Sequence, residues 1–135
     1  MTEKTLRNGF IAAGLMNIIA VLILSKFFTN KVIPETDPAV MSNFGLLMIM
    51  VWGLAYIALA NSFKQAKWVV GTFVVEKLVY VIAWIMWILN NDVSKVYEKD
   101  IFAGFFYSVY GINDFIFFVF FLYVFYKIQS KTSNY

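Results

Sequence analysis

Four apolar runs dominate this chain, and each is close to the length of a helix that crosses a bilayer. They cover about Phe10–Phe28, Asn43–Ala60, Trp68–Leu89 and Ile101–Tyr126. A hydrocarbon layer of about 30 Å takes roughly 20 apolar residues in helical form. Strands of a membrane barrel would be about half as long and would alternate in polarity, which these runs do not. Lipid offers no partners to an open backbone, so helix is the remaining form. The expected fold is therefore all-α: one integral membrane domain over 1–135, a four-helix bundle running up-down-up-down.

Composition narrows the chemistry. Hydrophobic residues make up 61% of the chain and charged ones 14%, against roughly 45–50% and 25% in soluble domains. A soluble core of this length could not enclose that much apolar surface. There is no Cys and no His. Disulfides, thiolate or imidazole metal sites, Cys nucleophiles and a His base are excluded. No cofactor or metal is expected, and proton chemistry would fall to carboxylates, Lys or Tyr. The basic residues are dispersed near the ends of the runs, which is no nucleic-acid signature.

The connections differ in character. Residues 29–42 hold both prolines, Pro34 and Pro38, with Glu35 and Asp37, and read as a structured loop without helix. Residues 61–67 suit a short antiparallel helix connection. Residues 90–100 open with Asn90, Asn91 and Asp92, a stop and a cap. The tail from Lys127 is expected to fray. The first run lacks a small-residue cleavage site before Ser25-Lys26-Phe27-Phe28, so it reads as a retained helix.

Orientation follows from Lys and Arg. One side carries Lys4, Arg7, Lys64, Lys67, Lys127 and Lys131, opposed by Glu3. The other carries Lys26, Lys31, Lys95 and Lys99 among five carboxylates. The basic excess favours both termini in the cytoplasm of a bacterial-type inner or plasma membrane. Trp68, Tyr123 and Tyr126 then fall near the inner boundary, and Trp84 and Trp87 near the outer one. Gly9, Ala13, Ala20, Gly45, Gly53 and Ala60 allow helices to approach closely.

Against this apolar background three charges stand out. Glu76 and Lys77 interrupt the third run and Asp114 the fourth. Each costs about 2.5–3.5 kcal/mol at the bilayer centre on insertion scales, which makes it a functional candidate by default. At 1.5 Å per residue, Glu76 lies roughly 12 Å and Asp114 roughly 18 Å from the inner ends of their helices. Asn17, Trp52 and Tyr56 lie at comparable or shallower depth. On the fourth run Tyr110 and Asp114 share a face, and Asn113 adjoins it. Lys77 or Tyr80 is expected to meet Asp114, with Asn17 and Asn113 completing the hydrogen bonds. One Lys cannot balance two carboxylates, so one of the pair is expected to hold or exchange a proton.

These residues suggest a binding or transport site for a small solute, ion or proton: Glu76, Lys77 and Asp114, with Asn17, Trp52, Tyr56, Tyr80, Tyr110 and Asn113 around them. A lipid-directed enzyme or receptor using a buried carboxylate is the second reading, and a structural subunit of a membrane complex the third. A static polar clasp that fixes helix register is the bland alternative. The expected partners are the lipid bilayer, a small apolar or ionic ligand and a second copy of the chain, since one short chain leaves little room for a full path. The stretch RNGFIAAGLMN, residues 7–17, is similar to the opening of GtrA-like lipid-linked sugar carriers, over one helix of the four. In outline the chain also resembles the sterol-isomerase and sigma-2-receptor superfamily, without a shared residue motif.

Overall fold

The computed structural model describes residues 1–132, with side chains to Ile128. The described residues form six α-helices and one 3-10 turn. Helix α1 is Glu3–Leu24, α2 is Val32–Thr36, α3 is Asn43–Leu59, α4 is Lys67–Asn90, α5 is Val93–Lys99 and α6 is Ile101–Thr132. Helices α1, α4 and α6 are long and apolar enough to cross a membrane, and α3 is a shorter apolar helix of 17 residues.

Local chemistry sets the ends. Thr2 caps α1 by accepting the Thr5 N–H at 3.1 Å, so the helix starts seven residues before the apolar run. Ser42 caps α3 in the same way, accepting from Gly45. Asp92 caps α5 by accepting from both the Ser94 hydroxyl and its N–H. Those two bonds hold the Asp92 carboxyl below the usual range.

Two loops contain helix where none was expected. In the first, Pro34 occupies the opening turn of α2. An amide there has no partner inside the helix, so the missing N–H costs nothing. In the second, the Asp92 cap launches α5. Likewise, the chain stays helical past Lys127 to Thr132, and residues 133–135 of the expected frayed tail lie outside the described part.

Helix α1 stops four residues before the run does, because the chain turns left-handed. Lys26, Phe27 and Phe28 have φ of 50°, 54° and 67°. For residues with a Cβ this costs roughly 1–2 kcal/mol each. Local bonds hold the turn: Phe27 N–H to the Leu22 carbonyl, Phe28 N–H to the Ser25 hydroxyl, and Asn30 N–H to the Ser25 carbonyl. Asp100 fastens it to the start of α6, accepting from Lys26 and from Asn30, both at 3.0 Å. Burial pushes the Asp100 carboxyl up, but the Ala103 N–H, Lys26 and Asn30 outweigh it and hold it below its ordinary range.

The long helices pack chiefly as two pairs, α1 on α3 and α4 on α6. In the first pair, backbone meets backbone at Gly14 and Gly53. A Cβ on Gly53 would lie 2.8 Å from the Gly14 carbonyl oxygen, and one on Gly14 would lie 2.5 Å from that of Gly53. In the second, the Trp84 indole lies over Gly111 and donates to the Tyr107 carbonyl at 2.7 Å. Trp87 is buried and stacks on Tyr107, with ring centroids 4.5 Å apart. It is a core residue and not the boundary anchor its position suggests. At one end of the assembly Lys64 pairs with Glu3, and Lys127 donates to the Met1 carbonyl.

Two apolar clusters form the core. One joins Leu6, Phe10, Tyr56, Phe63, Phe73 and Phe121. The other joins Val21, Ile33, Leu46, Trp87, Phe106 and Tyr107. On every long helix the sequence passes from one cluster to the other through a short polar or small-residue interval, and there the candidate site lies.

Candidate functional site

Each pair of helices contributes to one buried polar layer. From α1 comes Asn17, from α3 Tyr56, from α4 Glu76 and Lys77, and from α6 Asp114. None of the five is more than 8% exposed. Asn17 falls on α1 between Ala13 of one cluster and Val21 of the other. Asp114 falls one turn from Tyr110 of the second cluster and two turns from Phe121 of the first, on the same face of α6.

Lys77 is the centre. Its Nζ donates to Asp114 Oδ1 at 2.7 Å and to Asn17 Oδ1 at 3.3 Å. It also lies 5.2 Å from the centroid of the Tyr56 ring, within cation–π range. Asn17 is oriented by its own amide, which donates to the Ile49 carbonyl at 2.9 Å. That bond turns its oxygen toward Lys77. Glu76 is held separately by the Tyr56 hydroxyl, which donates to its Oε2.

The layer therefore ties the two helix pairs together. Lys77 to Asn17 and Tyr56 to Glu76 both run between the α1–α3 pair and the α4–α6 pair, while Lys77 to Asp114 stays within one. Buried ion pairs are poor glue, since desolvation offsets much of their attraction. Register between the pairs is a better account of what these bonds contribute.

A cleft reaches the layer from one side. It has about 60 Å³ of internal room and lies between α1, α3 and α6. Its polar end is Asn17, Tyr110, Asn113 and Asp114, and apolar residues including Ala20, Leu24 and Val109 line the rest. Met16, on its rim, is 46% exposed on the outer face of α1. The cleft thus opens sideways, toward whatever surrounds the helices. The two carboxylates differ in this respect: Asp114 lines the cleft, whereas Glu76 is tied to Tyr56 beside Phe73.

The remaining candidates sit around this arrangement. Tyr80 packs with the second cluster, so of the two partners offered to Asp114 it is Lys77 that makes the contact. Trp52 meets Phe73 edge-on, with centroids 6.1 Å apart, and backs the ring that supports Tyr56. Asn113 stands on the cleft wall beside Asp114. Tyr110 is buried with its hydroxyl unpartnered, one of two such side-chain atoms among the described residues. The other is Trp87 Nε1.

Sequence reasoning missed two supports. The Ile49 carbonyl that orients Asn17 carries no sequence signal, because a backbone oxygen has none. Gly53 was legible as a small residue that allows close approach, but Gly14, which meets it from another helix, was not singled out. No group of three or more acidic, His or Cys side chains that could hold a metal occurs among the described residues. No protein-family profile matches the chain, and no characterised protein or solved structure is measurably similar to it.

Proposed function

We propose that the chain is a multi-pass protein of a bacterial-type plasma membrane, and that its buried layer binds, and in the membrane moves, a small cation or proton. The observation that carries this is an imbalance with access: two carboxylates share a layer with one ammonium, and one of them lines a cleft. A layer with that composition gains from accepting a positive charge, since an unbalanced buried charge is costly. Asp114 is the group an incoming cation reaches. Lys77 is the internal cation it competes with, and Glu76 supplies the second negative charge.

In this reading α1, α3, α4 and α6 form an up-down-up-down bundle with both termini at the cytoplasmic side. The Lys64–Glu3 and Lys127–Met1 contacts and the excess of Lys and Arg at that end support it. A pair of copies would complete the path. The test is flux in liposomes under an imposed proton gradient. Asp114→Asn is expected to abolish it and Glu76→Gln to reduce it, with helical content unchanged. Flux that persists in both variants would sink the proposal. The apolar walls of the cleft support a second reading, a receptor or enzyme for a lipid-like ligand with Asp114 as its polar contact. A ligand chemically altered on incubation, and not carried, would favour it.

A further inference from the structure

We infer that the cleft between α1 and α6 is a lateral site for a single-chain amphiphile with a cationic head, such as a protonated alkylamine. This deepens the proposed function and rests on its claim that the layer accepts positive charge. Three observations carry it.

The first is the unpartnered Tyr110 hydroxyl, which is buried at the polar end of the cleft. Buried hydroxyls nearly always find a partner; this one has none, and its residue forms part of the cleft wall although the oxygen itself is covered. The second is charge. Asp114 Oδ1 is taken by Lys77, and Glu76 is close by in the same layer, so an anionic head would meet carboxylates while an ammonium would be attracted. The third is shape. About 60 Å³ holds a head group and a few methylenes, given roughly 10–15 Å³ of such room for each water. From Met16 to Leu24 on α1 and from Phe106 to Asp114 on α6, the walls run roughly 12 Å along the helices. An alkyl chain can lie along Ala20, Leu24 and Val109 and leave through the side beside Met16. The head would donate to Asp114 on the cleft wall and, after a small turn of the Tyr110 ring, to Tyr110 Oη.

The test is equilibrium binding of hexylammonium, hexanol and hexanoate to the whole protein in phosphatidylcholine nanodiscs, with empty nanodiscs as blank. Hexylammonium is expected to bind saturably, hexanol at least about tenfold more weakly, and hexanoate at the blank level. Val109→Trp and Ala20→Leu, which fill the cleft from opposite walls, should each remove saturable binding. Tyr110→Phe should weaken it about three- to tenfold, the loss of one hydrogen bond. The inference falls if hexanol matches hexylammonium, or if binding survives whichever cleft-filling variant retains full helical content. It also falls, with the proposed function intact, if proton flux depends on Asp114 but hexylammonium never saturates. If hexylammonium binds in the cleft and flux is absent from the wild-type protein, this site stands and transport falls.

Discussion

Nearer the chain ends, Phe10, Phe63, Phe73 and Phe121 close on one another beneath the polar layer, with neighbouring ring centroids 5.2–5.4 Å apart. On the far side Trp87, Tyr107, Phe106 and Tyr110 are equally aromatic, yet two polar atoms there lack partners and a cleft runs down to Asp114. The first side is chiefly phenylalanine, drawn from both helix pairs, and its buried tyrosine, Tyr56, already has Glu76 as a partner, so nothing in it would gain from a visitor. The second uses Tyr and Trp, whose hydroxyl and indole groups need partners. The contrast assigns a direction: the layer is backed by a phenylalanine seal and approached through a tyrosine-lined opening.

The sharpest way to break that contrast is at the layer itself. Lys77→Met leaves Asp114 and Glu76 buried without their cation and is expected to destabilise the fold by about 3–5 kcal/mol. Adding Asp114→Leu should recover most of that loss in unfolding experiments in bicelles. A double variant as unstable as the single would show that Lys77 does not act through Asp114. Next come matched truncations on the two sides. Phe121→Ala in the seal should cost about 3 kcal/mol, because the cavity it leaves is walled by rigid rings. Phe106→Ala beside the cleft should cost about half as much, since space is already present there. Equal losses by the same unfolding measurement would erase the distinction.

A smaller effect is expected where the sides meet. Gly53→Ala places a Cβ 2.8 Å from the Gly14 carbonyl and 2.9 Å from Asn17 Cβ. Overpacking of this kind should cost about 1–2 kcal/mol. It should also lengthen the Asn17–Lys77 bond, seen as a shifted Asn17 side-chain amide resonance. The smallest concerns the latch on the open side. Asp100 titrates below its ordinary range when folded. Its contribution is therefore full above the unfolded value of about 3.9 and lost as pH falls through the lower folded one. An acid-unfolding curve should lose that part of its slope in Asp100→Asn and keep it in Asp92→Asn.

What could be read in advance followed from contrast with the background. The helices were legible because lipid leaves few options for a backbone, three of them long and apolar enough to cross a membrane and the second run a shorter one. Glu76, Lys77, Asp114 and Asn17 stood out because polar groups are rare in such runs. Pairing was less legible. Apolar helices carry residues of similar character on every face, so periodicity does not say which face turns inward. Only a polar or very small residue betrays it, and Trp87 shows the failure: a position near a helix end suggested a boundary, while packing against Tyr107 put it inside. The helices in the loops were hidden because capping by Asp92 and a proline in a first turn resemble loop chemistry. The left-handed stretch at Lys26, Phe27 and Phe28 had no signal at all, since glycine would be its usual marker.

The contact between Gly14 and Gly53 has a mechanical meaning. With no side chain between the backbones there is little to flex, so any relative motion would carry α1 and α3 as one leaf and α4 and α6, with Trp84 seated on Gly111, as another. Rings from both leaves mesh on the phenylalanine side, as Phe10 does with Phe121 and Tyr56 with Phe73. That mesh is the pin. Rocking of one leaf on the other would pivot there, stretch the Lys77–Asn17 and Tyr56–Glu76 bonds first, and widen the gap at Val109 most.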